Sequence, residues 1–190
     1  MIKKFINKLL GKSTPGTSGG KPHFGKREEV PASVHGINPE LVDRRAADVV
    51  ATLKQAGFEA YIVGGAVRDL LLGLRPKDFD VATNATPEQV KGLFRRAFII
   101  GKRFRIVHVV HGRGREHEVI EVSTFRAYLD NAAAEQVAGN EKTSKAQLSG
   151  MQHAVDASGR VLRDNVWGPQ DEDATRRDFT VNAMYYDPVS

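Results

Sequence analysis

The stretch VGGAVRDLLLGLRPKDFDVATN, residues 63–84, sets two glycines at a strand-to-helix junction and then two aspartates one residue apart. FEAYIVG just upstream reads as a strand, GAVRDLLLG as a short helix closed by Gly73, and DFDVAT as a second strand. Side chains i and i+2 of a strand share a face, so Asp78 and Asp80 project together while Phe79 turns to the core. Two carboxylates so placed can share a hard cation such as Mg²⁺. Asp is depleted in strands and common in turns, which makes a pair of solvated turn aspartates the competing reading. Gly64 and Gly65 would let backbone come close to a ligand, the helix start would aim its N–H groups at an anion, and Arg68 lies one turn in. Alone, Gly-Gly is a tight turn. With an arginine and a carboxylate pair in the same short stretch, it describes a triphosphate held beside a metal.

Outward from this unit the chain keeps alternating helix and strand signals. Leu41, Val42, Ala46, Val49, Val50 and Leu53 recur at helical spacing, with Gly57 ending the run. TPEQVKGLFRR predicts a helix with Thr86 as N-cap and Pro87 at its first position. AFIIG, FRIVHVVHG and HEVIEVSTF are β-rich, the last two joined by GRGRE as a hairpin. A third carboxylate comes from EVIEVSTFR, where Glu118 and Glu121 lie on opposite strand faces. Glu121, flanked by Val119 and Ser123, is favoured over Glu118, which is nearer the hairpin; a salt bridge to Arg126 is its competing role. RRDFTVNA predicts Asp178 and Asn182 on one helix face beside Arg176 and Arg177, whose guanidiniums suit phosphate. Residues 127–160 are polar and weakly patterned, and read as a mobile loop. His108, His111 and His117 lack the spacing and cysteine partners of a zinc site.

The chain has 190 residues, a net charge of +5, 41% hydrophobic residues and no cysteine. This suits one soluble globular domain and excludes a disulfide framework and thiolate chemistry. Seven of the Lys and Arg residues fall in residues 1–27, which contain no Asp or Glu, so residues 28–190 carry a net −2. The basicity belongs to the tail. MIKKFINKLL forms one apolar helical face opposed by lysines; it is too short to span a bilayer and unlike a cleavable leader, but suits weak docking on a membrane surface or protein. Residues 11–36, rich in Gly, Ser, Pro and Lys, read as a flexible linker. GKST and GTSGG inside it mimic a P-loop end and a nucleophile elbow but lack the strands both need. A cytoplasmic protein is expected.

VGGAVRDLLLG, KDFDVATNATPEQV, EVSTFR and RRDFTVNAMYYD, in that order, resemble the head domain of the bacterial poly(A) polymerase and tRNA CCA-adding family, within the DNA polymerase β-like nucleotidyltransferases. IIGKRFRIVHV resembles the poly(A) polymerase branch. The resemblance implies an α+β head domain over residues 37–190, with a mixed, mostly antiparallel sheet flanked by helices, behind the basic tail and linker of residues 1–36. Neck and body domains, which follow in family members, are expected to be absent. It implies addition of AMP from ATP to RNA 3′ ends, with Asp78, Asp80 and Glu121 holding Mg²⁺, and Gly64, Gly65 and Arg68 on the triphosphate. Asp178 would join the catalytic set, with Arg177 and Asn182 near the nucleotide. A tRNA CCA-adding enzyme and a truncated, non-catalytic nucleotide- or RNA-binding fragment are the alternatives.

Overall fold

The computed structural model describes residues 27–112, 117–128, 135–136, 153–155 and 161–190. The amphipathic start, the two mimics in the linker and the GRGRE connection lie outside these residues.

The chain runs α1 (Ala32–His35), α2 (Arg44–Gln55), β1 (Ala60–Val63), α3 (Gly65–Leu71), β2 (Asp80–Thr83), α4 (Pro87–Leu93), β3 (Ala97–Ile100), β4 (Ile106–His111), β5 (Glu118–Thr124), β6 (Glu135–Gln136), β7 (His153–Val155), β8 (Val161–Asp164), α5 (Gln170–Thr175) and β9 (Tyr185–Tyr186). Six strands form one sheet in the order β3-β4-β5-β2-β1-β9. Every pairing is antiparallel except β2 with β5. That parallel step needs a long crossover, which α4 and the β3–β4 pair supply. The expected α+β architecture, a mostly antiparallel mixed sheet flanked by helices, is the one observed.

Alternation along the strands separates two rows. Tyr186, Ile62, Val81, Val122, Val107 and Ile99 are in register across all six strands. From Ile62 to Val107 this row is fully buried, under Val49, Val50 and Leu53 of α2 and Val90 of α4. Burying each such side chain contributes about 1.5–3 kcal/mol. The second row, on the opposite face, is Tyr185, Val63, Asp80, Glu121, His108 and Phe98. No described helix backs this row at its centre, and there the sheet carries carboxylates instead of valines.

Local chemistry fixes the element ends. Asp43 accepts from the Arg45 backbone N–H at 2.7 Å, so α2 begins there; Pro39–Leu41 forms a separate 3₁₀ turn. Thr86 and Gln89 form a reciprocal capping box on α4, with Pro87 at the first position. Ile37 is buried and His35 sits edge-on to Tyr186 at 5.7 Å.

Two expectations are corrected. Residues 127–160 are not wholly loop: β6 and β7 pair in parallel and β7 pairs antiparallel with β8, a small sheet that polar, weakly alternating sequence conceals. The helix expected through RRDFTVNA ends at Thr175; Thr180–Asn182 is a 3₁₀ turn, and the chain then extends to pair with β1. The Phe-Thr-Val run has poor helix propensity, and the sheet edge at β1 offers its backbone partners instead.

Candidate active site

Asp80 opens β2 with Val63 as its neighbour in β1 and Glu121 directly beside it in β5. The strand starts at Asp80 and not at Asp78 because β1 ends at Val63, and Gly64, with φ of 75° and ψ of −141°, turns the backbone away and leaves no β1 partner beyond Asp80. Asp78 therefore precedes the strand, exposed, while Phe79 between the two aspartates is buried as its alternation requires.

Asp80 and Glu121 line a cavity of about 300 Å³ together with Ser123, Arg126, Asp173, Arg176 and Arg177. Asp80 still reaches solvent, yet the protein around its carboxyl strips enough hydration to push it above the usual carboxylate range; Glu121 and Asp78 add to this, and Arg177 opposes it. Two acids crowded beside each other without full hydration are stabilised by an added cation. Among the described residues no three His, Asp or Glu side chains are gathered into a metal cage. A pair suffices for Mg²⁺, which keeps most of its water and takes one or two carboxylates plus substrate phosphate oxygens. The donor set fits that ion. Glu118, at the far end of β5, lies instead 3.9 Å from Arg45.

Across the cavity, α5 supplies a buried carboxylate. Asp173 accepts from the Arg126 backbone N–H at 3.0 Å, from Arg177 Nε at 3.1 Å and Nη2 at 3.0 Å, and from the Tyr185 hydroxyl at 2.6 Å. Burial pulls the Arg177 guanidinium down, but Tyr185 and Asp173 outweigh it and leave it above its ordinary value. Burial pushes the Tyr185 phenol far up, so it stays a donor.

The remaining predicted residues form a second group. Gly64 faces Asp80: a Cβ there would stand 4.0 Å from Asp80 Oδ2. Gly65 faces the Arg68 guanidinium. Arg68 pairs with Asp69 at 2.8 Å and donates to Asn182 Oδ1 at 3.3 Å, joining two predicted residues from opposite ends of the chain. Asp178 is exposed and lines no part of the cavity. It does not share a helix face with Asn182. Arg126, Asp173 and Tyr185 were not among the predicted site residues, whereas Arg176 and Arg177, read as suited to phosphate, both line the cavity. The i, i+4 spacing of Asp173 and Arg177 was the available signal.

Residues 60–190 match the model of the poly A polymerase head domain. The chain belongs to the poly(A) polymerase head-domain family. Poly(A) polymerase I of Haemophilus influenzae is 48% identical over 160 residues, 84% of this chain and 31% of that protein. Poly(A) polymerase I of Salmonella typhi is 41% identical over 187 residues, 97% of this chain and 36% of that protein. The CCA-adding enzyme of Lactobacillus helveticus is 36% identical over 143 residues, 75% of this chain and 29% of that protein. This head domain also shares its fold with a solved apo form of a CCA-adding enzyme, at a TM-score of 0.50 and 21% identity over 77% of this chain and 30% of that one. The chain spans about a third of the length of the poly(A) polymerases it matches. Among the described residues no helix is long and apolar enough to cross a membrane.

Proposed function

We propose that this head domain adds AMP from ATP to RNA 3′ ends, as a cytoplasmic enzyme of the poly(A) polymerase branch. The observation that carries this reading is the cavity in which Asp80 and Glu121 stand side by side, facing Arg126, Arg176 and Arg177. Phosphoryl transfer asks a protein chiefly for positioning and for charge placed where the transition state needs it. Both signs of charge meet here at a sheet centre. The higher identity to poly(A) polymerases than to the CCA-adding enzyme favours ATP over CTP.

Asp80 and Glu121, with Asp78 two residues before Asp80, would hold Mg²⁺. When bound, that ion lowers the pKa of the attacking 3′-hydroxyl and screens charge on the phosphates. The chain's own side chains do the rest. Arg176 and Arg177 place guanidiniums where pyrophosphate charge grows, and Asp173 with Tyr185 keeps Arg177 aimed by occupying its other edge. Gly64 presents bare backbone beside Asp80, so phosphate can approach without meeting a side chain. Arg68, paired with Asp69 and steadied by Asn182, would reach the triphosphate from that side. Asp178, exposed next to Arg177 and outside the cavity lining, would join the catalytic set once nucleotide is held there. Residues 37–190 form the catalytic unit and residues 1–36 a basic tail.

Incorporation of α-³²P-ATP onto a short RNA primer, with and without Mg²⁺, tests the proposal. Metal-dependent extension that Asp80→Asn abolishes is expected. CTP incorporation onto a tRNA lacking its 3′ end, in preference to ATP, would replace this reading with CCA addition.

A further inference from the structure

The turn between β3 and β4 reads GKRFR, residues 101–105. Gly101 adopts a φ of 87°, and a Cβ on it would collide with the Phe104 carbonyl, so the turn closes tightly on itself. Phe104 is left 37% exposed, and two cations lie over its ring: Arg126 at 4.7 Å from the centroid and Arg103 at 5.2 Å. An aromatic ring layered with guanidiniums at a surface is a stacking platform, because both the ring and the planar guanidinium offer flat faces.

Two observations tie this platform to the cavity. Arg126 belongs to both: it stacks on Phe104 and lines the space that holds Asp80 and Glu121. The open sheet face then runs from Phe98 on the edge strand, 53% exposed, through His108 to Glu121 and Asp80, in strict register. Cations are dense here: Lys102, Arg103 and Arg105 belong to the turn itself, and Arg126, Arg176 and Arg177 line the cavity beside it, with Glu88 paired to Arg105 and Asp173 to Arg177.

The ligand chemistry that uses both features is a flexible chain of phosphodiesters carrying flat bases, which is single-stranded nucleic acid. A duplex hides its base faces, and an acidic peptide would satisfy the cations without using the ring. We propose that Phe104, with Arg103 and Arg126 layered on it, receives the 3′-terminal bases of a single-stranded RNA and leads its end to Asp80 and Glu121. The inference rests on the nucleotidyl-transfer reading, and names where the primer lies.

The test is fluorescence anisotropy of a 5′-labelled, unstructured RNA of about fifteen nucleotides with the full chain, alongside Mg²⁺-ATP binding by calorimetry. Phe104→Ala is expected to weaken RNA binding by about fivefold or more, the range for loss of one base–aromatic stack. Phe104→Trp should restore it and show indole quenching as RNA is added beyond that of Trp167 in the wild type, which a purely structural residue would not give. Arg126→Lys, which keeps the charge and loses the plane, should also weaken RNA binding. Mg²⁺-ATP affinity should stay within twofold in both Phe104 variants. RNA affinity within twofold of wild type in Phe104→Ala, no quenching in Phe104→Trp, or equal competition by polyglutamate overturns the platform. A wild-type chain that binds Mg²⁺-ATP but not RNA also overturns it and leaves the catalytic reading standing; failure of Mg²⁺-ATP binding with RNA binding intact strikes the catalytic reading instead.

Discussion

The Tyr185 hydroxyl donates to Asp173 Oδ2 at 2.6 Å, on the same oxygen that takes both donors of Arg177. Asp173 is buried, and with its bond from the Arg126 backbone it ties α5, β9 and the end of β5 into one network. Tyr185→Phe removes one donor and leaves the carboxylate otherwise satisfied, so it should cost about 1–2 kcal/mol. Asp173→Ala strands the Arg177 charge and should cost about 3 kcal/mol or more. Thermal melts order the two: at about 2–4 °C per kcal/mol for this size, Asp173→Ala must fall further than Tyr185→Phe. Equal losses would mean that Arg177 repairs itself elsewhere.

Asp80 is held differently: its ionised form is disfavoured by lost hydration and by the nearby Glu121 and Asp78 charges. Asp80→Asn relieves the repulsion while keeping the shape. The metal-free protein should melt at the wild-type temperature or above it, and Mg²⁺-ATP should no longer raise the melting point. A variant that melts several degrees lower without ligand would show that Asp80 serves the fold instead of a cation.

The alternation that built the main core was legible in the sequence. Ile62, Val81, Val122 and Val107 all fall on the buried face that period-two reading assigns them, and the same parity puts Asp80 and Glu121 together on the other. Parity cannot say where a strand stops. Asp78 has the right parity, but the Gly64 turn removes its neighbour and leaves it outside β2. Nor does local pattern report contacts made over long separations. Arg126 meets Asp173 across 47 residues, and Arg68 meets Asn182 across 114, through tertiary packing that no window of sequence contains.

Asp43 gives a pH dependence of definite sign. Its carboxylate accepts from the Arg45 backbone and side chain at the start of α2, and those side-chain bonds hold its pKa below the usual carboxylate range despite burial. A depressed folded-state pKa means that the ionised form stabilises the fold. The contribution is complete above the unfolded value of about 4 and is lost as pH falls through the folded one. Asp43→Ala should therefore cost about 1 kcal/mol at pH 7. The gap between variant and wild type should narrow as the pH falls below about 4. Denaturant midpoints measured across that range check it; a gap independent of pH would assign the effect to packing.

The two glycines at the β1–α3 junction make separable predictions because they differ in backbone conformation. Gly64, at φ 75° and ψ −141°, sits where an L side chain is strained, although a Cβ would meet nothing nearer than Asp80 Oδ2 at 4.0 Å. Gly64→Ala should cost about 1–3 kcal/mol through strain alone. Gly65 is the first residue of α3 with ordinary helical backbone, and a Cβ there would stand 3.4 Å from Arg68 Nη2, at the end of a long side chain that can shift. Gly65→Ala should therefore leave the melting temperature unchanged or slightly raised, since alanine suits a helix better than glycine. If phosphate approaches the backbone at this turn, the added methyl should weaken Mg²⁺-ATP binding all the same. Melting and calorimetric binding on the two variants separate the roles: a Gly65→Ala protein that is as stable as wild type and binds Mg²⁺-ATP equally well would show that the turn serves only the fold, and would move the triphosphate to the Arg126 side of the cavity.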